Sequence, residues 1–226
     1  ELQPVTDKQN QPVPGVFEQD PGSLPSGRII SAFHLQPGLN VAPYFTDDPA
    51  GLSGWARGKM DNLSFDGPIS REIEPSWFMR DDGAIVMVFR DQAETFLKLA
   101  SVSHDEGETW STPVLTNMPD SRSKQSAGNL PDGTAFLVGN PVTSKSRFPL
   151  VIALSRDGKV FDRAWLLRRG GRSLPEMRYD GRYKRRGFSY PKSAVIGDWL
   201  YIAYATSKED IEVTRVPVDS LYPSEL

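Results

Sequence analysis

The 226-residue sequence contains no cysteine. Disulfides, thiolate zinc sites, iron–sulfur clusters and a cysteine nucleophile are excluded with it. The only histidines are His34 and His104, too few for a multi-histidine metal site. No apolar run approaches the roughly 18 residues that a membrane-spanning helix requires. Neither sign of charge dominates: 26 Lys and Arg face 29 Asp and Glu, a net −3. A nucleic-acid binder working by bulk charge is therefore not expected. No cofactor, metal, membrane or nucleic-acid partner is called for. The chain opens at Glu1 with neither an initiator Met nor a signal-peptide pattern, which reads as a processed product or a fragment and leaves secretion open.

What is present points to a packed β-protein. Hydrophobic residues make up 38%, aromatic residues 10% and charged residues 24%, a balance that favours a folded domain. Few stretches carry a helical period. The 19 glycines and 19 prolines punctuate short apolar runs instead. Residues 84–89, 134–138, 150–154 and 199–204 are four such runs, bounded by turn residues, and read as strands. The turn glycines before them line up. Gly27, Gly83, Gly133 and Gly197 lie 56, 50 and 64 residues apart. Asp-Gly suits a tight hairpin because both positions tolerate positive φ.

A second element follows the hairpins. Ser103, Asp105, Gly107, Thr109 and Trp110 fit the pattern Ser-x-Asp-x-Gly-x-Thr-Trp. Ser155, Asp157, Gly158 and Phe161 repeat it one residue short, and Thr46, Asp48, Gly51 and Trp55 give a stretched form. The Asp can cap backbone N–H groups, the Gly takes the positive φ and the aromatic fills the space beneath. Such a box staples a hairpin and does no chemistry; His104 sits at one of its variable positions. An all-β unit repeating about every fifty residues is the signature of a β-propeller with one four-stranded blade per repeat.

These Asp-boxes, with the residues below, resemble the sialidase (neuraminidase) superfamily over about residues 24–216. The resemblance implies an all-β, six-bladed propeller. Four blades are visible, and six at this spacing would need about 300 residues. The expected division is an irregular segment at 1–23, propeller blades at 24–218 and a tail at 219–226, with the chain a C-terminal portion of something longer.

Glu74 begins one strand, the chain turns at Asp82-Gly83, and an apolar strand returns to Arg90. A hairpin of that length sets its two ends side by side on one rim. That pair is either a plain ion pair or part of a site. The sialidase resemblance implies a site. Glu74 would take the proton of a nucleophilic tyrosine, and Arg90 would be one of three arginines binding the substrate carboxylate. Arg147, after Asn140-Pro141 and before the second box, matches another, with Lys145 near enough to compete for the place. A planar guanidinium grips a carboxylate with two parallel hydrogen bonds. Tyr190, before the last hairpin, matches the nucleophile, with Tyr183 and Tyr179 as weaker rivals. Tyrosine is the nucleophile in sialidases. A neutral phenol is a poor nucleophile until a neighbouring carboxylate takes its proton. Lys124, Asn140 and His34 complete the candidate substrate-binding set, and His34 is also a candidate acid/base.

Two departures from the superfamily stand out. Neither the Arg-Ile-Pro segment of the first blade nor the following acid/base Asp is found; Arg28-Ile29-Ile30 lacks the Pro and follows a hairpin turn. The expected function is a retaining, sialidase-like glycoside hydrolase acting on anionic glycans that carry sialic or uronic acid. The alternatives are a lyase or rhamnosidase-type enzyme on uronate-containing glycans, or a non-catalytic glycan-binding propeller. The resemblance implies a secreted or periplasmic protein. Residues 168–186 hold eight cations and two carboxylates, an insertion that is either a solvated loop or a positive funnel beside Tyr190.

Overall fold

The computed structural model of the chain describes residues 4–222. Four antiparallel sheets succeed one another in sequence order. Blade 1 holds β1 (Val16–Ser23), β2 (Ile29–Leu35), β3 (Asn40–Thr46) and β4 (Ala56–Arg57). Blade 2 holds β5 (Glu72–Met79), β6 (Ile85–Asp91), β7 (Leu97–Ser103) and β8 (Val114–Pro119). Blade 3 holds β9 (Ser126–Asn129), β10 (Ala135–Gly139), β11 (Leu150–Ser155) and β12 (Arg163–Arg168), and blade 4 has three strands, β13 (Phe188–Ile196), β14 (Trp199–Thr206) and β15 (Asp210–Pro217). This is the propeller arrangement that the repeat implies.

The apolar runs become the middle strands because both faces of each blade are covered. Ile30, Ala32 and Val41 of blade 1 meet Ile85, Met87 and Phe89 of blade 2. Phe78, Val86 and Val88 meet Ala135 and Leu137 across the second seam. Phe136, Val138 and Ile152 meet Leu200, Ile202 and Tyr204 across the third. Each large apolar side chain enclosed in this way contributes about 1.5–3 kcal/mol.

The two outermost faces differ. The outward face of blade 1, with Phe33, Ala42 and Tyr44, is covered by Val5, Val13 and Trp55. The segment that supplies Val5 and Val13 is tied on by Thr6, whose N–H donates to the Leu52 carbonyl at 3.0 Å and whose carbonyl accepts from the Trp55 N–H at 3.0 Å. The outward face of blade 4 shows Ile196, Ile211 and Val213 to solvent.

The expected boundary at residue 24 is too late, because β1 lies before it and pairs with β2 from Val16↔His34 to Ser23↔Ile29. Its sequence has no continuous apolar run, since it is largely exposed and interrupted by two register shifts. At the other end Leu221, expected in the tail, is 2% exposed and packs into the blade 3–blade 4 core. Residues 1–3 and 223–226 of the expected terminal segments lie outside the described residues.

All three boxes form, and all on one end of the stack. Asp105 accepts the Thr109 N–H at 2.8 Å, the Ser103 hydroxyl donates to Asp105 at 2.9 Å, and the Trp110 indole donates to the Gly107 carbonyl at 3.0 Å. Asp157 accepts from the Lys159 and Val160 N–H groups at 2.7 and 3.0 Å, and Phe161 stacks edge-on against Phe78. In the stretched form Asp48 accepts the Ala50, Leu52 and Ser53 N–H groups, and the Trp55 indole donates to the Gly51 carbonyl at 2.9 Å. Arg28 is at this same end, paired with Asp47 at 2.7 Å and Glu108 at 3.0 Å, so it holds boxes together.

Candidate functional site

The opposite end carries the first halves of β5 and β13, the β6–β7 and β10–β11 connections and the crossovers between blades. Glu74 and Arg90 lie there on neighbouring strands, where Ile73 pairs with Arg90 before the register shifts between Ile73 and Ser76. The extra residue of that bulge is turned out of the ladder and aims the Glu74 side chain at the rim. Arg90 Nη1 donates to both Glu74 carboxylate oxygens, at 3.2 and 3.3 Å. Both side chains are largely withdrawn from water, at 15% and 12% exposure.

Arg147 comes from the β10–β11 connection of blade 3. Its carbonyl accepts the Phe188 N–H at 2.7 Å, and it bridges Gly187, which leads into β13. The start of the strand that bears Tyr190 is thus fastened to the loop that bears Arg147. Tyr190 sits in the β13 bulge between Ser189 and Lys192. The Lys208 ammonium lies over its ring at 4.8 Å.

Arg147 is buried, and its Nη1 has no hydrogen-bond partner among the described residues; the same holds for Arg90 Nε. Burial pulls the Arg147 pKa down to about 10, and the neighbouring Arg90 and Arg185 charges push the same way. Tyr190 and Glu74 act on it in the opposite sense. The four residues that the sequence singles out, at 74, 90, 147 and 190, are therefore electrostatic neighbours drawn from three blades. A buried guanidinium with an unpartnered N–H group beside a second arginine is a favourable place for an anion. Among the described residues no hydrogen bond joins the Tyr190 hydroxyl to Glu74, whose carboxylate is held by Arg90.

The remaining candidates each make a hydrogen bond or ion pair, although the Asn140 side-chain oxygen is buried with no partner among the described residues. His34 Nε2 accepts the Glu74 N–H at 3.3 Å, and Nδ1 faces Glu18 at 3.6 Å. Burial lowers its pKa and favours the neutral ring. His34 therefore supports the bulge that displays Glu74. Lys124 is paired with Glu18 through both its carbonyl and its carboxylate. Asn140 donates to the Pro149 carbonyl at 2.9 Å and so ties together the two ends of the loop that carries Arg147.

In the basic insertion, Arg178 and Lys184 are tied to Glu209 and Arg186 to Glu176, while Tyr179 and Tyr183 point to solvent. Sequence reasoning passed over Gln125, whose amide donates to the Glu74 carbonyl at 2.8 Å and whose oxygen accepts from the buried Lys98 ammonium at 2.9 Å. It also passed over Glu18 and Gly187, whose partners are distant in sequence and leave no local signal. No group of three or more His, Asp or Glu able to hold a metal occurs among the described residues.

A family model described as a BNR repeat-like domain matches residues 2–202. No curated protein matches. Among solved structures, the intramolecular trans-sialidase from Ruminococcus gnavus, in complex with oseltamivir carboxylate, aligns with TM-score 0.65 at 17% identity, over 90% of this chain and 44% of that one. The Hadza microbial sialidase Hz136 aligns with TM-score 0.65 at 15% identity, over 89% and 37%. A polysaccharide lyase, an ulvan lyase bound to -[GlcA(1-4)Rha3S]-, aligns with TM-score 0.53 at 15% identity, over 84% and 46%. The chain spans less than half the length of each of these proteins.

Proposed function

We propose, from the premise that the chain belongs to the BNR repeat-like domain family, that its rim is the carboxylate-binding and nucleophile-bearing part of a sialidase-like glycoside hydrolase acting on anionic glycans. The observation that carries this reading is the buried Arg147 with its unfilled donor, beside Arg90 and within electrostatic reach of Tyr190 and Glu74. Arg90 and Arg147 clamp the sugar carboxylate. That fixes the ring with its anomeric carbon over the Tyr190 hydroxyl. The phenol oxygen attacks that carbon as its proton passes to Glu74, whose carboxylate turns from Arg90; the glycosidic bond breaks and the departing oxygen takes a proton from solvent water. A second water then attacks the same carbon, the phenolate leaves and regains its proton from Glu74, and the sugar is released with net retention. A phenol meets an anionic sugar without the repulsion that a carboxylate nucleophile would suffer.

The likeness to sialidase structures supports this chemistry. The likeness to a lyase keeps uronate-containing glycans in the substrate class. Lyase chemistry with His34 as the base is less well supported, because its Nε2 already accepts the Glu74 N–H and Nδ1 faces Glu18. A secreted or periplasmic location is part of the same proposal, by family resemblance. The test is hydrolysis of fluorogenic α-sialosides and glucuronides by the protein and its Tyr190→Phe variant. A loss of about 10²-fold or more in kcat is expected, the scale of a lost catalytic group. Equal rates for the two proteins would overturn the role of Tyr190.

A further inference from the structure

Beside the Arg90–Arg147 pair, four separate connections bring a second group of charges to the same end of the stack. Glu94 lies in the β6–β7 turn, Arg122 in the crossover from blade 2 to blade 3, Lys145 in the β10–β11 loop two residues before Arg147, and Arg185 in the crossover that precedes β13. Lys145 Nζ is 2.9 Å from Glu94 Oε1, and Arg122 Nη1 pairs with the same oxygen. Arg122 Nη2 donates to the carbonyl and side-chain oxygen of Gln92, at 3.1 and 3.0 Å, while its Nε is buried with no partner among the described residues. Arg185 makes no ion pair or hydrogen bond among the described residues, yet its charge is felt both by Arg147 and by Glu94.

Lys145 and Arg122 meet at Glu94, Lys145 stands two residues before Arg147 in the same loop, and the Arg185 charge acts on both Arg147 and Glu94. Around the rim, five cations (Arg90, Arg122, Lys145, Arg147 and Arg185) share two carboxylates, Glu74 and Glu94. A ligand carboxylate held by Arg90 and Arg147 leaves Arg185, Lys145 and Arg122 with Glu94 alone. Glu94 is half exposed, so it can yield its place, unlike the buried Asp120 that binds Lys98. By contrast, Arg178, Lys184 and Arg186 of the same insertion are tied to acids that fix its fold. These three cations hold the insertion together, whereas Arg185 has no ion-pair partner among the described residues.

We infer that Arg185, Lys145 and Arg122, gathered around Glu94, form a second anion subsite adjoining the carboxylate clamp, and that the protein takes glycans bearing a second acidic group, a sulfate ester or another carboxylate, on the sugar next to the one it clamps. This rests on the proposed function of the rim but concerns a different set of residues. Because Lys145 and Glu94 are half exposed, the subsite acts in part by attraction that salt screens, and it discriminates between ligands more than it anchors them.

The test measures Kd by calorimetry for three ligands in each of two series, sialosides and glucuronides. One ligand has a single carboxylate, one adds a sulfate ester on the adjacent sugar, and one adds a second acidic sugar. The expected result is about fivefold tighter binding of at least one doubly charged ligand, the scale of one exposed charge pair. That preference disappears in Arg185→Ser/Lys145→Ser and grows in Glu94→Gln, while affinity for the singly charged ligand changes less than affinity for the doubly charged ones. A preference that is absent in the wild-type protein, or unchanged in the double variant, overturns the second subsite. Arg147→Met separates the two readings. If it leaves the singly charged ligand bound in full, or if neither series binds at all, the clamp itself is wrong and the subsite falls with it.

Discussion

Glu74 and Tyr190 share one backbone conformation on two different blades. Each has φ of 55°, each is followed by a proline, and each sits where the register of an inner strand shifts. A left-handed residue other than glycine costs about 1–2 kcal/mol, and such strain gathers where a side chain must be aimed against the run of the strand. Blade 1 also shifts register at the corresponding strand, between Phe17 and Gln19, around Glu18. Blades 1, 2 and 4 repeat a bulge in their first strand and carry different chemistry on it, while β9 of blade 3 pairs without one.

Gly187 is expected to be as important to the site as the side chains that line it. A Cβ there would stand 2.5 Å from Arg147 Cβ and 2.7 Å from its carbonyl oxygen, at a backbone φ of 127°. Gly187→Ala should displace the Arg147 loop, weaken binding of a singly charged glycan about tenfold or more, and lower stability by about 1–3 kcal/mol. Calorimetry and urea unfolding read the two effects; neither changing would show that the contact tolerates a methyl group.

Arg147→Met should separate stability from binding. The native state holds this guanidinium buried without a full set of partners, so removing its charge relieves a desolvation cost. The variant is expected to be more stable by about 1–4 kcal/mol, as when buried charges give way to well-packed hydrophobes. It should lose binding of carboxylate sugars by about 30-fold or more. A destabilised variant that still binds would reverse both assignments.

The boxes predict the acid limb of the stability curve. Hydrogen bonds from the Val160 and Lys159 N–H groups and the Ser155 hydroxyl lower the Asp157 carboxyl from 3.8 to about 2. Because the folded value is the depressed one, its contribution is present above the unfolded pKa and is lost as pH falls through the folded one. The difference in melting temperature between the wild-type protein and Asp157→Ala should be constant near neutrality, shrink between about pH 4 and pH 2, and vanish below that. A difference that keeps its full neutral-pH size at pH 2 would mean that the carboxylate is not the stabilising group.

Trp110→Phe tests the box without touching its aspartate. The ring would still fill the space, but the Gly107 carbonyl would lose the indole donor at 3.0 Å. A cost of about 1–2 kcal/mol in chemical unfolding is expected, with glycan affinity unchanged because the box lies at the end of the stack away from Arg147.

The sequence made the repeats legible because hairpin glycines and boxes depend on neighbours within a few residues. The proximity of Glu74 and Arg90 was legible for the same reason, as two ends of one hairpin. Arg147 and Tyr190 entered through family likeness, since no local rule brings them together. What joins them is the Gly187 contact, between segments 40 residues apart in the chain. Three things could not be read. Strand β1 lacks an apolar run, the partners of Lys124 and His34 belong to other blades, and Asn140 looks equally suited to a ligand or to its own loop. Only for Lys124 and His34 is the deciding partner distant in sequence; β1 is set by its pairing with β2, and Asn140 by a carbonyl nine residues on.

The contrast between the two outermost faces limits how copies of this chain can associate. Val5, Val13 and Trp55 lie over the outer face of blade 1, while the outer face of blade 4 shows Ile196, Ile211 and Val213. A pairing of two copies through the blade 4 face joins like to like, and such a contact closes at two copies and cannot propagate into a filament.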